Sequence, residues 1–411
     1  MQISQTIIVL LCLKHNFFQV ARCLQPTNGE IKCTESEDQR HDDKIKSFLW
    51  KIDGDPASYL FGTIHVPYLE VWDKINDAVL KQFNSSDKLY VEIDKNIPRV
   101  QSYFASCVLL PKGQTVSDIL PNDVYIRLKA YLDYLKDKIS TWISRKQLSK
   151  GLSADNIFRS LFGNWEQREI IWTLTQTLGL VEKYIKSIEY STMDEHLYNL
   201  AKKQAKPIGD IENVEDVCNV FNNIDRDPLL YFTKKILELQ QDAILDISTI
   251  YRENMISEYI NGTLSSSTLY QDTGYFTQYV EDTRKVPYDS VSFDNEKKQT
   301  QYLQSLTTYL KNHLFRERNK KMADKIMEIL KTDSETSFFF AFGAGHFIGE
   351  HSIVDILKNA GFKIKRYSEE NLNQVKDQKM ACNRSTNAGN VIILNVLFVC
   401  LIFQQMFSIS A

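Results

Sequence analysis

The chain has 411 residues, with 49 Lys and Arg against 52 Asp and Glu, for a formal net charge of −3. That balance leaves no basic footprint for nucleic acid, and no nucleic-acid partner is expected. Charged residues of both signs are abundant and mixed, as on an ordinary solvated surface, and the length is enough to bury a large core in one domain or two.

In chain order, residues 1–23 read as a signal peptide. An apolar stretch at 6–13 is followed by the small residues Ala21 and Cys23, which suit a cleavage site. Residues 24–45 are a polar N-terminal arm. The apolar run at 48–52 predicts a strand, and 59–61, punctuated by Gly62, a second. Residues 71–83 carry Trp72, Ile75, Val79 and Phe83 at helical spacing. Residues 89–93 alternate as a third strand. A strand–helix–strand unit of this kind favours parallel strands. From about 115 to 335 the pattern is largely helical, with one stripe through Val124, Leu128, Leu132 and Leu135 and another through Met322, Ile326, Ile329 and Leu330. A strand-like break occurs at 206–209, and 262–300 is polar and reads as a long exposed excursion. The sheet pattern returns at 337–342, followed by Gly343 to His346, a helix at 353–360 and a strand at 362–365. The expected fold is therefore α/β: a mostly parallel central sheet built from the N- and C-terminal parts, with a large helical insertion between them. Residues 46–368 form the domain, 369–390 a polar stalk, and 391–411 an uncharged apolar tail. A membrane helix needs roughly 20 apolar residues; the tail barely reaches that, so a single-pass type I anchor and a GPI signal both suit it.

Secretion agrees with the remaining residues. Without the signal and tail, Cys33, Cys107, Cys218 and Cys382 remain, and four thiols allow three pairings. Sequons stand at Asn84, Asn261 and Asn383 and are expected glycan sites on an extracellular domain held at the cell membrane.

Two segments carry the chemistry. Tyr59-Leu60-Phe61-Gly62-Thr63-Ile64-His65 and Phe340-Ala341-Phe342-Gly343-Ala344-Gly345-His346 each run from apolar residues into Gly-X-X-His. A glycine there lets the chain turn sharply past a buried strand. The histidine then arrives at the strand's carboxyl end, the edge where open α/β sheets bind ligands. Two such imidazoles can converge on one metal. Glu92 lies among apolar residues, where an ionised carboxylate needs a partner or a metal. Asp94 shares its face by period two.

The segments 61–68 (Phe-Gly-Thr-Ile-His-Val-Pro-Tyr), 163–166 (Gly-Asn-Trp-Glu) and 338–347 (Phe-Phe-Phe-Ala-Phe-Gly-Ala-Gly-His-Phe) resemble the Tiki proteins, membrane-anchored metalloproteases of the TraB/PrgY/GumN group. The runs 107–111, 118–121 and 150–155 also resemble Tiki segments, and the likeness covers about 46–368. It implies a metal-dependent endopeptidase that clips the amino-terminal region of secreted Wnt-type proteins and damps their signalling. It implies Mn2+ or Co2+ in preference to Zn2+, held by His65, His346 and Glu92, with Glu212 and Arg318 (of the pair Arg318-Asn319) as further catalytic residues. Glu92 or Glu212 is then a ligand or the base for a bound water, and Arg318 steadies the negative charge of the tetrahedral intermediate. Cys107 and Cys218 are implied as a disulfide. Asp194, in Met193-Asp194-Glu195-His196-Leu197, reads as structural, and His196, His313 and His351 receive no role. Two rivals stand beside this reading: a metal-dependent hydrolase of another substrate, esterase-like, and a non-catalytic ligand-binding ectodomain.

Overall fold

The computed structural model describes residues 48–75, 77–265 and 296–366. The expected signal peptide, arm, stalk and tail, Cys33, Cys382 and Asn383 lie outside the described residues. No helix among the described residues is long and apolar enough to cross a membrane.

Six strands make one sheet: β1 (Leu49–Ile52), β2 (Ser58–Thr63), β3 (Lys88–Val91), β4 (Ile208–Asp210), β5 (Phe338–Gly343) and β6 (Ile364–Arg366), in the order β4-β3-β5-β2-β1-β6. The pairs β2/β5, β3/β5 and β3/β4 are parallel. β1 pairs antiparallel with both β2 and β6 and forms the mixed side of the sheet. The expected mostly parallel sheet is therefore present, with an antiparallel margin. β2 and β3 are parallel as expected but not neighbours, because β5, from the far end of the chain, lies between them. Its run Phe338-Phe339-Phe340-Ala341-Phe342-Gly343 is buried at every position, as the central strand of a sheet covered on both faces must be. Each phenylalanine so buried stabilises the fold by roughly 1.5–3 kcal/mol.

Several boundaries differ from the sequence expectation. The expected helix at 71–83 is one 3-10 turn, Trp72–Lys74, and then helix α1 (Asp77–Ser85), with a further 3-10 turn, Tyr68–Glu70, just before it. The stretch before α1 is held by other partners: Tyr68 N–H donates to Ser191 O at 3.0 Å, and Pro67 bridges Thr192. β3 ends at Val91 rather than Ile93, because the Glu92 carbonyl leaves the ladder and accepts from Ile211 and Glu212 N–H groups at 3.1 and 2.9 Å.

The helical insertion follows. Its main helices are α2 (Pro98–Cys107), α3 (Asn122–Trp142), α4 (Ala154–Phe162), α5 (Ile170–Gly179), α6 (Met193–Lys203), α7 (Val214–Asn222), α8 (Arg226–Leu237) and α9 (Gln241–Ile260). Part of the expected polar excursion is helical, since α10 covers Glu296–Leu310. A π-helical stretch, Lys311–Arg316, joins it to α11 (Glu317–Thr332), and α12 (Ile353–Asn359) precedes β6. Cys107, at the end of α2, is bonded to Cys218 in α7 with a Cα–Cα separation of 6.1 Å. The sequon residues Asn84 and Asn261 are exposed.

Candidate metal centre

The carboxyl ends of β2, β5 and β3 lie side by side, in a register that sets Thr63 against Gly343 and Val91 against Ala341. The residues just beyond those ends are His65, His346 and Glu92, so three segments far apart in sequence deliver their side chains to one edge. His65 Nε2 is 4.0 Å from Glu92 Oε1, and His346 Nε2 is 3.7 Å from the same oxygen.

The other ring nitrogens decide which way those Nε2 atoms can act. His65 Nδ1–H donates to Asp194 Oδ2 at 2.7 Å, and the Thr63 hydroxyl donates to Asp194 Oδ1. His346 Nδ1–H donates to Asn319 Oδ1 at 2.6 Å, while Asn319 Nδ2 donates to the His351 carbonyl at 3.0 Å. With Nδ1 carrying the proton, the neutral form of each ring leaves Nε2, which lies near Glu92 Oε1, as the atom able to donate to an ion. This arrangement is the usual support of a metal-binding imidazole. Asp194 is thus the orienting partner of His65, a sharper part than the structural one expected of it.

Gly62 and Gly343 are needed for a reason other than turning. Neither has positive φ, and Gly343 has φ −53°. A Cβ on Gly343 would lie 3.0 Å from His65 Nε2 and 3.1 Å from Glu92 Oε1; one on Gly62 would lie 3.0 Å from Ala344 Cα. Both glycines permit close approach. The Gly343 N–H also donates to Glu92 Oε1 at 2.6 Å.

Burial divides the site. The side chains of His65, Glu92 and Asp194 are partly exposed, at 16%, 16% and 21%. His346, Arg318, Asn319 and Glu212 are buried. Arg318 forks onto Glu212, with Nε to Oε1 at 2.8 Å and Nη2 to Oε2 at 2.5 Å. Its Nη2 also reaches Glu92 Oε2 at 3.5 Å, and its Nη1 donates to Leu314 O at 3.1 Å. Burial alone would lower the Arg318 pKa, but Glu212 and Glu92 outweigh it and the net direction is up. Both Glu212 oxygens accept from this fork. Arg318 is a buried clamp on two carboxylates.

Electrostatics separate the two imidazoles. Burial pulls the His65 pKa down, but the charge and hydrogen bond of Asp194, with Glu92, more than offset it and raise it. Burial pushes Asp194 up, while His65 and the Thr63 hydroxyl bring it below the usual carboxylate range. For His346, burial first and then the Arg318 charge lower the pKa to about 3, so that ring is neutral near pH 7.

The donor set fits a divalent ion in kind: two imidazole nitrogens and a carboxylate oxygen, with each ring's tautomer fixed. In spacing it is slightly open. Donors at about 2.1 Å from one ion stand roughly 3.0–3.4 Å apart, somewhat closer than the 3.7 and 4.0 Å found here. Among the described residues no three His, Cys, Asp or Glu side chains already stand at ion-gripping distance. Of the other histidines, His196 stacks on Tyr68 with ring centroids 4.0 Å apart, and His313 pairs with Glu317 at 2.9 Å. His313 and Arg318 border a cavity of about 330 Å³ that none of His65, Glu92 and His346 lines. His351 is exposed and enters the site through its backbone carbonyl alone.

Two support residues escaped the sequence reading. Asp194 carried a signal, the first turn of a helix capped by Thr192, but nothing that tied it to His65. Asn319 was visible only as the neighbour of Arg318.

Residues 48–366 match the TraB/PrgY/gumN family. The chain is 33% identical to the Metalloprotease TIKI2 of Danio rerio over 87% of its own length and 67% of that protein's. It is 34% identical to the Metalloprotease TIKI1 of Homo sapiens, over 82% of this chain and 64% of that one. With the Metalloprotease TIKI homolog of Nematostella vectensis it shares 30% identity, over 82% and 70%. The chain thus spans about two thirds of the length of these relatives. No solved structure matches it.

Proposed function

The chain belongs to the Tiki proteins of the TraB/PrgY/gumN family, and from that premise we propose that it is a metal-dependent endopeptidase whose ion is held by His65, His346 and Glu92. One observation carries the reading: two imidazoles, each with its Nδ1 proton committed elsewhere, turn their Nε2 atoms to a single Glu92 oxygen. A divalent ion bound there, Mn2+ or Co2+ in preference to Zn2+, supplies a water of lowered pKa and polarises a peptide carbonyl.

The chain's own groups do the rest. Asp194 and Asn319 hold the two rings in their tautomers. The Gly343 N–H and Arg318 hold the two oxygens of Glu92, which is also the acceptor for a proton leaving water at this edge. Arg318, buried against Glu212, keeps Glu92 in place and is the cation nearest the oxyanion of a tetrahedral intermediate formed at this edge. Phe315, with its ring centroid 5.7 Å from that of His346, helps keep solvent from the buried side, so substrate enters where His65 and Glu92 are exposed.

The substrate proposed is the amino-terminal region of secreted Wnt-type proteins, with damped signalling as the result. Its support is the Tiki likeness over most of the chain. An extracellular location suits the Cys107–Cys218 bond, which persists in oxidising compartments, and the exposed sequons. The apolar tail at 391–411 would supply the membrane anchor. The test uses the full-length protein in detergent. Metal content is measured by mass spectrometry, and a purified Wnt is examined for a shortened amino terminus with added Mn2+ or Co2+. Cleavage that survives both chelation and His65→Ala removes the reading. A protein that holds metal and hydrolyses esters but no peptide transfers the site to the rival hydrolase.

A further inference from the structure

We propose that helix α9, in the insertion, is a brace that sets the position of His65, with Tyr259 and the Arg252–Glu70 pair as its two positioning contacts. The proposal rests on the reading of His65 as a metal donor.

His65 lies between the end of β2 and the 3-10 turn Tyr68–Glu70, outside any strand or helix. Such a segment keeps its shape only if its ends are held. At one end the Tyr259 hydroxyl donates to the Gly62 carbonyl at 2.7 Å, in the residue that opens Gly-Thr-Ile-His. At the other end Arg252 forks onto Glu70, with Nη1 to Oε2 at 2.8 Å and Nη2 to Oε1 at 2.6 Å. Arg252 and Tyr259 are seven residues apart, two turns of one helix, so they share a face and stand roughly 10 Å apart along it. One rigid element therefore grips residues 62–70 at both ends, with His65 between the grips.

Tyr259 and Arg252 are buried, Glu70 is 11% exposed and also faces Lys183 Nζ at 3.6 Å, and the chemistry of both grips favours geometry over stability. The Tyr259 ring lies stacked on Phe48, with centroids 5.1 Å apart and planes 14° apart, which fixes where its hydroxyl points. That hydroxyl also touches Met193 Sδ at 3.5 Å, in the residue next to Asp194, so the same group contacts the strand that leads into His65 and the helix that carries its partner. Arg252 is 3% exposed. Burying a forked ion pair gains little over an apolar pair of the same volume, because desolvation offsets the attraction. Its particular gift is one fixed geometry, here the placing of the turn after His65.

The test uses the full-length protein and two variants, Tyr259→Phe and the double change Arg252→Met with Glu70→Met. The first removes one hydroxyl; the second replaces the pair with apolar side chains. Melting temperature, amide hydrogen exchange across 62–70, and Co2+ affinity with the visible Co2+ spectrum are measured. The expected result is a melting temperature near wild type, exchange in 62–70 faster by roughly tenfold, Co2+ bound about tenfold more weakly and an altered spectrum, on the scale of losing a supporting contact. Exchange and Co2+ binding at wild-type values, whatever happens to the melting temperature, overturn the brace. If the wild-type protein binds no Co2+, the metal reading fails separately, and exchange across 62–70 alone decides the brace.

Discussion

Gly343→Ala asks the sharpest question of a single residue. Its Cβ would stand 3.0 Å from His65 Nε2 and 3.1 Å from Glu92 Oε1, inside the space where two donors must close on an ion. The fold should lose about 1–2 kcal/mol from overpacking, while Mn2+ or Co2+ binding by calorimetry weakens by more than tenfold, the scale at which a disturbed support acts. Asp194→Asn should likewise weaken metal binding by about 10–100-fold, because it removes the charge that orients and enriches the His65 ring. The pH dependence of stability without metal follows from His346. Its folded pKa is lowered to about 3 from an ordinary 6.5. Between those values the unfolded chain takes up a proton that the folded chain refuses. The contribution is full above 6.5 and drains away as pH falls toward 3, by a few kcal/mol in all. His65 has the opposite sign: its pKa is raised, so its contribution is full below 6.5 and is lost as pH climbs through the folded value. Urea midpoints from pH 7 to 4 should therefore fall steeply in the wild type and less steeply in His346→Gln; parallel curves would refute the assignment. His65, His346 and Glu92 were legible because chemistry-bearing residue types followed apolar runs. Asp194 and Asn319 were not, because what makes them matter is a contact across 129 and 27 residues of chain, which no local pattern encodes.

Helix α11 does two tasks at its first turn. Arg318 and Asn319 are adjacent, so their side chains leave the helix about 100° apart; one reaches the carboxylates and the other His346. The sequence named the pair, and the π-helical stretch before it, Lys311–Arg316, had no signal, since a wider turn needs no special residue. Strands were more legible than helices near the site. β5 could hardly be read otherwise, whereas the expected helix at 71–83 opens as the 3-10 turn Trp72–Lys74 and is α-helical only from Asp77. α2 and α7 test another element-scale point. Their bond, Cys107–Cys218, closes a sequence separation of 111 residues and joins two helices of the insertion, neither of which carries His65, His346 or Glu92. Replacing both cysteines with serine should cost about 2–5 kcal/mol of stability and leave the metal affinity of the folded protein unchanged. A calorimetric titration below the variant's melting range checks this; a weakened affinity there would tie the disulfide to the site.

At the scale of the whole molecule, the site exists only when the chain's two ends interleave. β5 must enter between β2 and β3, and only then does the Gly343 N–H meet Glu92 Oε1 across 251 residues. Closing a loop of that length costs roughly 5 kcal/mol of chain entropy, so an unfolded chain holds His65 and His346 together only rarely. An ion that needs both therefore binds the folded state and hardly the unfolded one, and metal binding must appear as stability. At a free concentration of 100 Kd the gain is about 2.7 kcal/mol, and tenfold more metal adds about 1.4. The expected outcome is a melting temperature that rises by several degrees with Mn2+ or Co2+, continues to climb with the logarithm of concentration, and returns to its starting value with chelator. His65→Ala and His346→Ala should each melt at a temperature indifferent to metal. A shift that persists in both variants would mean that the ion binds elsewhere, and the convergence of the two imidazoles would then be a matter of packing alone.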